Sequence, residues 1–224
     1  MSATVFENVR LIDPASGLDR LGRLLVRDGM IAGVDLPQAE GTPEGAAIAR
    51  GDGRMVLCPG LVDMRVTIGE PGFEYRETVA SAARAAVAGG ITTIAVLPNC
   101  LPTIDDPALV RLLRTRGEET GMIGILPYGA LTRGCAGSEM AEIGLLNEAG
   151  AVAFTDGIRA IGDPRLMRQL LTYSRAFGPM VVQHPEDPSL ARGGGAPDVQ
   201  LSPLLGLPGT APPREDYPMH RYPS

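Results

Sequence analysis

The feature that most constrains the fold is a regular alternation of strand-like and helix-like segments that starts near residue 57. Short apolar runs rich in β-formers are each followed by a segment with helical periodicity, and the runs recur about every 30 residues. Such alternation is typical of parallel strands joined by crossover helices. The sequence therefore predicts an α/β fold. The five predicted strands are 57–64, 91–97, 122–127, 151–155 and 180–183.

Four helices are predicted after these strands. Asp106 and Asp163 each precede a proline, which is the pattern of an N-cap followed by the first helical position. The other two helices are predicted over 74–88 and 138–149, where apolar residues recur at helical spacing. Each helix is expected to end at a glycine. These glycines are Gly89, Gly117, Gly150 and Gly178.

The number of strand–helix units points to an incomplete barrel. In a closed eight-stranded barrel these would be the first five units, and three more need on the order of 80 to 100 residues. Residues 193–224 instead contain a triple glycine and seven prolines without a helical or strand period, which indicates an extended or disordered tail. We therefore predict a partial (β/α)8 TIM-type barrel of about five units over 56–192, followed by an irregular Pro/Gly-rich tail.

The first 55 residues have a different pattern. Asp28-Gly29 lies between two apolar runs and predicts a compact hairpin. Residues 37–53, which contain several prolines and glycines, are predicted to form a loop. We expect residues 1–55 to form a small β-structure that packs on another part of the protein.

Composition limits the classes of partner. The formal net charge is −6 and no long basic cluster occurs, which argues against nucleic acid and against an anionic membrane surface. No apolar stretch approaches the roughly 20 residues of a membrane span, and the N-terminus has no signal-peptide pattern. Three widely spaced cysteines without a CxxC motif favour reduced thiols, so we expect a cytoplasmic protein.

Several ordered motifs resemble dihydroorotase of the long, bacterial type, a family of the amidohydrolase superfamily. The resemblance spans about residues 5 to 209 and implies a (β/α)8 barrel with a small β-sandwich built largely from N-terminal residues. It also implies interconversion of carbamoyl-aspartate and dihydroorotate at a zinc centre. The motifs are Pro59-Gly-Leu-Val-Asp-Met, Glu70-Pro-Gly-Phe-Glu-Tyr-Arg-Glu-Thr, Ala88-Gly-Gly-Ile-Thr-Thr, Leu97-Pro-Asn, Ala151-Val-Ala-Phe-Thr-Asp-Gly, His184-Pro-Glu-Asp-Pro-Ser-Leu-Ala and Leu205-Gly-Leu-Pro-Gly.

The resemblance assigns site residues, and this chain departs from it at the metal. The two histidines of the family's HxH motif are replaced by Arg65 and Thr67, and Gly69 stands where the family has an arginine for the substrate carboxylate. Asn99 matches the family's substrate-binding asparagine. Asp156 and His184 match two further metal ligands and are interpreted as remnants. The family's later histidine and its proton-shuttling aspartate have no counterpart in this sequence.

The replaced residues argue against a zinc site. A guanidinium carries only donors, and a threonine hydroxyl is a weak neutral ligand for zinc. If the strand continues to Thr67, both side chains face the interior of the barrel at its C-terminal end. Arg65 could there replace the metal's charge and pair with Asp156, or it could reach solvent through the open end. Cys100 has no obvious base, so a thiol nucleophile is not expected.

Three functions remain open from the sequence. The leading hypothesis is a non-hydrolytic dihydroorotase homologue without zinc, with no catalytic residue retained. The resemblance implies that such a protein is a structural partner of aspartate carbamoyltransferase in pyrimidine biosynthesis, in an oligomeric assembly. The first alternative is an active cyclic amidohydrolase with an unusual metal site. The second is a truncated, non-functional product of a longer gene.

Overall fold

A computed structural model of the chain describes residues 2–37, 42–184 and 186, together with the backbone of residues 196–197 and 209–210. The chain divides into two compact units, residues 1–60 and residues 61–224. Each unit is described below by itself.

The first unit is built on one mixed sheet of five strands. β2 pairs antiparallel with β1 and β3 pairs antiparallel with β2, whereas β4 and β5 pair parallel with β1. Asp28 and Gly29 turn the chain between β2 and β3 with φ of 50° and 78°, so the predicted hairpin is confirmed. The strands are β1 Ala3–Asp13, β2 Leu18–Arg27, β3 Met30–Val34, β4 Ala47–Arg50 and β5 Val56–Leu57.

One boundary in this part of the chain needs correction. The described residues of the first unit form a single sheet, and its place in a small β-sandwich stays a prediction. The first barrel strand was predicted to begin at Leu57, but Leu57 lies in β5, pairs with Leu11 and belongs to the first unit. Pro59 and Gly60 separate β5 from the next strand, since a proline removes a donor from the ladder and a glycine weakens a strand.

Residues 61–184 contain five parallel strands in chain order. β6, β7 and β8 form one sheet, β9 pairs with β10, and a parallel bridge between Gly129 and Phe154 joins the two groups. The α/β class and the five strands are therefore confirmed. In the described residues the series is open and no closed barrel forms. The strands are β6 Leu61–Val66, β7 Ile91–Val96, β8 Gly124–Pro127, β9 Ala153–Phe154 and β10 Met180–Val181.

Four helices connect and follow these strands. Asp106 and Asp163 accept hydrogen bonds from the backbone N–H groups of Ala108 and Arg165, so both predicted Asp-Pro starts are confirmed. The helices are α1 Val79–Ala88, α2 Pro107–Thr120, α3 Ile143–Glu148 and α4 Pro164–Ser174.

Two helices are shorter than predicted. α1 begins at Val79 and not near residue 74, because Thr78 and Ser81 form a reciprocal capping box. α3 covers only 143–148 of the predicted 138–149. The residues before it form strand-like contacts instead, since the Ala141 N–H donates to the Leu131 carbonyl and Thr132 bridges Met140.

Gly117 does not end α2 as predicted. α2 continues to Thr120 and ends at Gly121, which has the left-handed φ of 60°. Gly117 is buried against β8, and a Cβ at this position would lie 2.7 Å from the Cβ of Ile125. The glycine therefore permits close packing of helix on strand. α4 likewise ends at Ser174, before Gly178.

The parallel strands bury different residues on their two faces. One face packs against all four helices in the larger core cluster, to which Ile94, Val96 and Phe154 contribute. The opposite face carries a small cluster. Alternation along the strands produces this division. The members of the small cluster are Ala95, Leu97, Tyr128 and Ala153.

The predicted irregular tail lies mostly outside the described residues. Within it, the backbone of residues 196–197 pairs parallel with that of residues 209–210. No helix in the described parts of the chain is long and apolar enough to cross a membrane.

The packing of Gly117 predicts the effect of one substitution. Alanine is a better helix former than glycine by about 1 kcal/mol, and overpacking costs about 1–3 kcal/mol. G117A should therefore lower the free energy of unfolding by a net amount of up to about 2 kcal/mol. Urea unfolding measures the change. The matched control is T115A, an exposed position of the same helix, which should be neutral or stabilising. A G117A protein more stable than the parent would contradict the packing role.

Candidate functional site

A cavity lies on the face of the strands that carries the small cluster. It has a volume of about 320 Å³. Two of the residues predicted from the sequence, Arg65 and His184, are among those that line it, near the C-terminal ends of β6 and β10. The lining residues are Met64, Arg65, Leu97, Tyr128, Thr155, Gly157, Met180, Val182, Gln183 and His184.

Arg65 contacts His184 in this cavity. Its Nη2 lies 3.3 Å from Nδ1 of the imidazole, and the other ring nitrogen of His184 lies 3.6 Å from a carboxylate oxygen of Glu186. Of the two alternatives for Arg65, the pairing with Asp156 does not occur: the guanidinium contacts His184, and both carboxylate oxygens of Asp156 have other partners. Arg65 is exposed, as the alternative of reaching solvent expects.

Asp156 lies on the opposite side of its strand end from the cavity. It is only 2% exposed. Its Oδ1 accepts hydrogen bonds from the backbone N–H groups of Leu131 (3.0 Å) and Thr132 (2.9 Å), and its Oδ2 accepts one from the Thr132 hydroxyl. Burial raises the pKa of Asp156 above its ordinary value, while the hydrogen bonds from Thr132 and Leu131 act to lower it. The carboxylate therefore ties the segment after β8 to the end of β9.

The reason for this orientation is the alternation of side chains after β9. Ala153 belongs to the small cluster and Thr155 and Gly157 line the cavity, so Asp156 points with Phe154 to the other face. The sequence interpretation did not place Thr132, Tyr128 and Thr155 near the site. Only the phase of the β9 alternation could have indicated the role of Thr155.

Asn99 holds the loop that follows Asp156. Its Nδ2 donates to the Asp156 carbonyl, and its Oδ1 accepts from the Ile158 N–H, both at 3.2 Å. A Cβ at position 157, where Gly157 has φ of 66°, would lie 1.7 Å from the Asn99 Oδ1. In this structure both ends of the Asn99 amide are therefore committed to backbone groups. A substrate-binding role for Asn99 stays a prediction.

Thr67 and Gly69 follow β6, which ends at Val66. Thr67 is exposed and is not among the residues that line the cavity, so the expected shared orientation of positions 65 and 67 does not occur. Gly69 is buried, and a Cβ there would lie 2.2 Å from the Phe73 carbonyl oxygen. The Phe73 N–H also donates to the Gly69 carbonyl at 2.6 Å. The turn from 69 to 73 leaves no space for the family's arginine.

These positions do not fit a zinc ion. The guanidinium of Arg65 has no lone pair to offer, Thr67 faces elsewhere, and the Asp156 carboxylate is buried on the other side of the strand end. Among the described residues, no group of three or more histidine, cysteine or acidic side chains is arranged to hold a metal. His184 remains as a single imidazole beside a cation.

The three cysteines differ in exposure. Cys58 is exposed, whereas Cys100 and Cys135 are buried. Burial raises the pKa of Cys100 to about 11 and that of Cys135 to about 12. The Cys100 sulfur contacts the backbone carbonyls of Ile68 and Glu70. A buried, protonated thiol of this kind is a packing residue and a poor nucleophile.

Comparisons with known proteins assign the family of the whole chain. The dihydro-orotase-like family model matches residues 53–215. The chain is 42% identical to the dihydroorotase of Pelobacter propionicus over 217 residues, which cover 97% of this chain and 50% of that protein. It is 37% identical to the dihydroorotase of Geobacter sulfurreducens, covering 92% of this chain and 48% of the other. The chain therefore spans about half the length of these curated relatives.

Solved structures show the same fold at lower sequence identity. L-hydantoinase from Arthrobacter aurescens matches with a TM-score of 0.72 at 21% identity. The match covers 86% of this chain and 42% of the hydantoinase chain. D-hydantoinase from Thermus sp. matches with a TM-score of 0.61 at 20% identity. This match covers 84% of this chain and 41% of the hydantoinase chain. The fold of the described residues is thus shared with part of each of these two structures.

The hydrogen bonds of Asp156 predict a graded effect on stability. D156A should lower the free energy of unfolding by about 2–4 kcal/mol, because two buried N–H groups lose their acceptor. D156N is the matched control: its amide oxygen still accepts both N–H bonds and its NH₂ can donate to the Thr132 oxygen, so its loss should be about 1 kcal/mol or less. Chemical denaturation measures both. Equal losses for the two variants would contradict this account.

Thiol exposure predicts the stoichiometry of modification. At pH 8 a thiol-reactive disulfide reagent should modify Cys58 quickly, and Cys100 and Cys135 only after unfolding, because a thiol with a pKa of about 11 is roughly 0.1% ionised at that pH. Absorbance of the released thiolate counts the reactive groups. C58S should abolish the rapid phase, and rapid modification of Cys100 in the native C58S protein would contradict the prediction.

Proposed function

The chain belongs to the dihydro-orotase-like family, and we propose that it has lost zinc-dependent hydrolysis and acts as a structural protein of pyrimidine biosynthesis. Relatives at 35–42% identity carry the name dihydroorotase. The reaction requires a metal that activates water and polarises the cyclic amide carbonyl. The loss of that metal site is therefore the loss of the hydrolytic step.

The observation that carries this proposal is the contact between Arg65 and His184. A permanent cation lies 3.3 Å from the imidazole that matches a metal ligand of the family. A zinc ion at His184 would be repelled by this charge, and it would lack the usual set of at least three protein ligands. The turn at Gly69 supports the same conclusion, since the position of the substrate-carboxylate arginine cannot hold a side chain in this conformation.

We propose aspartate carbamoyltransferase as the partner, in an oligomeric assembly, as the family resemblance implies. Exposed apolar side chains on β6 support a need for a partner surface: Leu61, Val62 and Met64 are 56%, 58% and 70% exposed. β6 is an edge strand of its three-stranded sheet. An exposed apolar edge strand is a site of association unless it is covered.

The alternative is an active dihydroorotase, which the names of the relatives favour. The two functions differ in metal content and turnover. We expect fewer than about 0.1 zinc ions per chain after purification in zinc-containing medium, and no opening of dihydroorotate above the uncatalysed rate. Elemental analysis and an absorbance assay on the same sample measure both, with a known dihydroorotase purified in parallel as the control.

The partner is tested on the same preparation. Chain and transferase, mixed at equal concentration, should co-elute from a size-exclusion column at a larger size than either alone. A double substitution on the exposed edge, V62E M64E, should abolish the shift. The matched control R168E lies on the exposed side of α4 and should leave it intact. Stoichiometric zinc with turnover, or the absence of any complex, would refute the respective part of the proposal.

A further inference from the structure

The geometry points to a ligand site in the cavity: we propose that it binds a small organic monocarboxylate, with the Arg65 guanidinium as the anchor. This inference goes beyond the proposed function, which assigns no ligand to the cavity. It depends on the charge of Arg65, on the polar groups that face the cavity and on the apolar wall.

The charge of Arg65 is not balanced by a carboxylate in the described part of the chain. Its guanidinium contacts Nδ1 of the His184 imidazole at 3.3 Å. Glu186 approaches the other nitrogen of that ring at 3.6 Å. Asp63, two residues before Arg65 on β6, accepts the Arg65 backbone N–H at 3.0 Å and not the guanidinium. The remaining donors of the guanidinium are therefore available to a guest anion.

The guanidinium has the right chemistry for a carboxylate. It presents several N–H donors in a rigid fork, which matches the two oxygens of a carboxylate in a bidentate arrangement. One end of the fork is held by His184, so less side-chain freedom is lost when an anion binds. A metal cation, in contrast, would meet a like charge at this position.

Two hydroxyl groups that line the cavity, those of Tyr128 and Thr155, already form hydrogen bonds within the chain. The Tyr128 hydroxyl donates to the Met64 carbonyl at 2.9 Å, which leaves its oxygen as an acceptor. The Thr155 Oγ1 accepts from the Gly157 N–H at 2.9 Å, which leaves its hydroxyl hydrogen as a donor. A guest can therefore receive one hydroxyl donor in addition to the guanidinium.

The rest of the wall is apolar. Met64, Leu97, Met180 and Val182 line the cavity, whose volume of about 320 Å³ lies at the lower end of the range for small-molecule sites. Met64 and Met180 are 70% and 68% exposed, so an apolar body attached to a carboxylate would cover them, which an inorganic anion such as phosphate cannot do. In a small organic monocarboxylate, the carboxylate can pair with the Arg65 guanidinium while the apolar body contacts the apolar side chains of the cavity.

The first test uses the parent protein after dialysis against a chelator, so that no metal can carry the binding. Benzoate and benzamide have nearly the same shape and differ in charge. Ligand-observed NMR titration should give a Kd of about 1 mM for benzoate and at least about tenfold weaker binding for benzamide. Equal affinities, or no benzoate binding up to about 50 mM, would overturn the proposal.

The second test removes the anchor. R65M keeps most of the side-chain length without the charge and should weaken benzoate binding at least about tenfold, whereas benzamide binding should change little. R168M removes an exposed arginine from α4 and should leave benzoate affinity within about twofold of the parent. Unchanged benzoate affinity in R65M would refute the anchor.

A third variant covers the case in which R65M does not fold. R65K retains the charge but not the fork, and its benzoate affinity should lie between those of the parent and of a variant without the charge. Benzoate affinity in R65K equal to the parent would refute the bidentate arrangement. These measurements use metal-free chain without transferase, so their failure is distinct from failure of the zinc or complex experiments.

Discussion

The buried carboxylate of Asp156 determines how the C-terminal ends of the strands are arranged. Among the residues of the second unit that the structure describes, it is the charged side chain that is buried, and it accepts two backbone N–H bonds and a hydroxyl hydrogen bond from the segment after β8. These bonds connect two groups of strands that otherwise meet through the bridge between Gly129 and Phe154. Because a buried carboxylate is unfavourable without such donors, the arrangement of loop and carboxylate is mutually dependent.

This use of Asp156 explains why the remnant metal positions do not assemble. With Asp156 directed toward Thr132, the cavity retains only Arg65 and His184 from the set that the sequence suggested. The Asn99 amide also binds this segment, through the Asp156 carbonyl and the Ile158 N–H. The strand ends are thus organised by hydrogen bonds within the chain, and the cation faces a separate, largely apolar space.

Local signals in the sequence predicted much of the fold. The Asp28-Gly29 turn and the two Asp-Pro helix starts depend on neighbouring residues alone, and the structure confirms them. Gly117 was misinterpreted because a glycine that ends a helix and a glycine that packs on a strand look the same in a sequence. The short α3 was missed for a similar reason, since Ala141 and Met140 bond to residues 131–132 across the loop.

The candidate site was harder to predict than the fold. The family resemblance named Arg65 and His184, which line one cavity, and residue chemistry argued against Arg65 as a metal ligand. The orientation of Asp156 could not be predicted, because it depends on the phase of a two-residue strand that is set by its pairing with β10. The partner of Arg65 was likewise determined by the positions of strands far apart in sequence.

The tight turn at Gly69 has a consequence for redesign of this chain. A side chain at position 69 would collide with the Phe73 carbonyl, so an arginine fits there only after the segment 69–73 changes its conformation. Histidines at positions 65 and 67 would leave Asp156 held by Leu131 and Thr132. A metal-binding arrangement at these strand ends would therefore require changes at several separate places, and no single substitution would produce it.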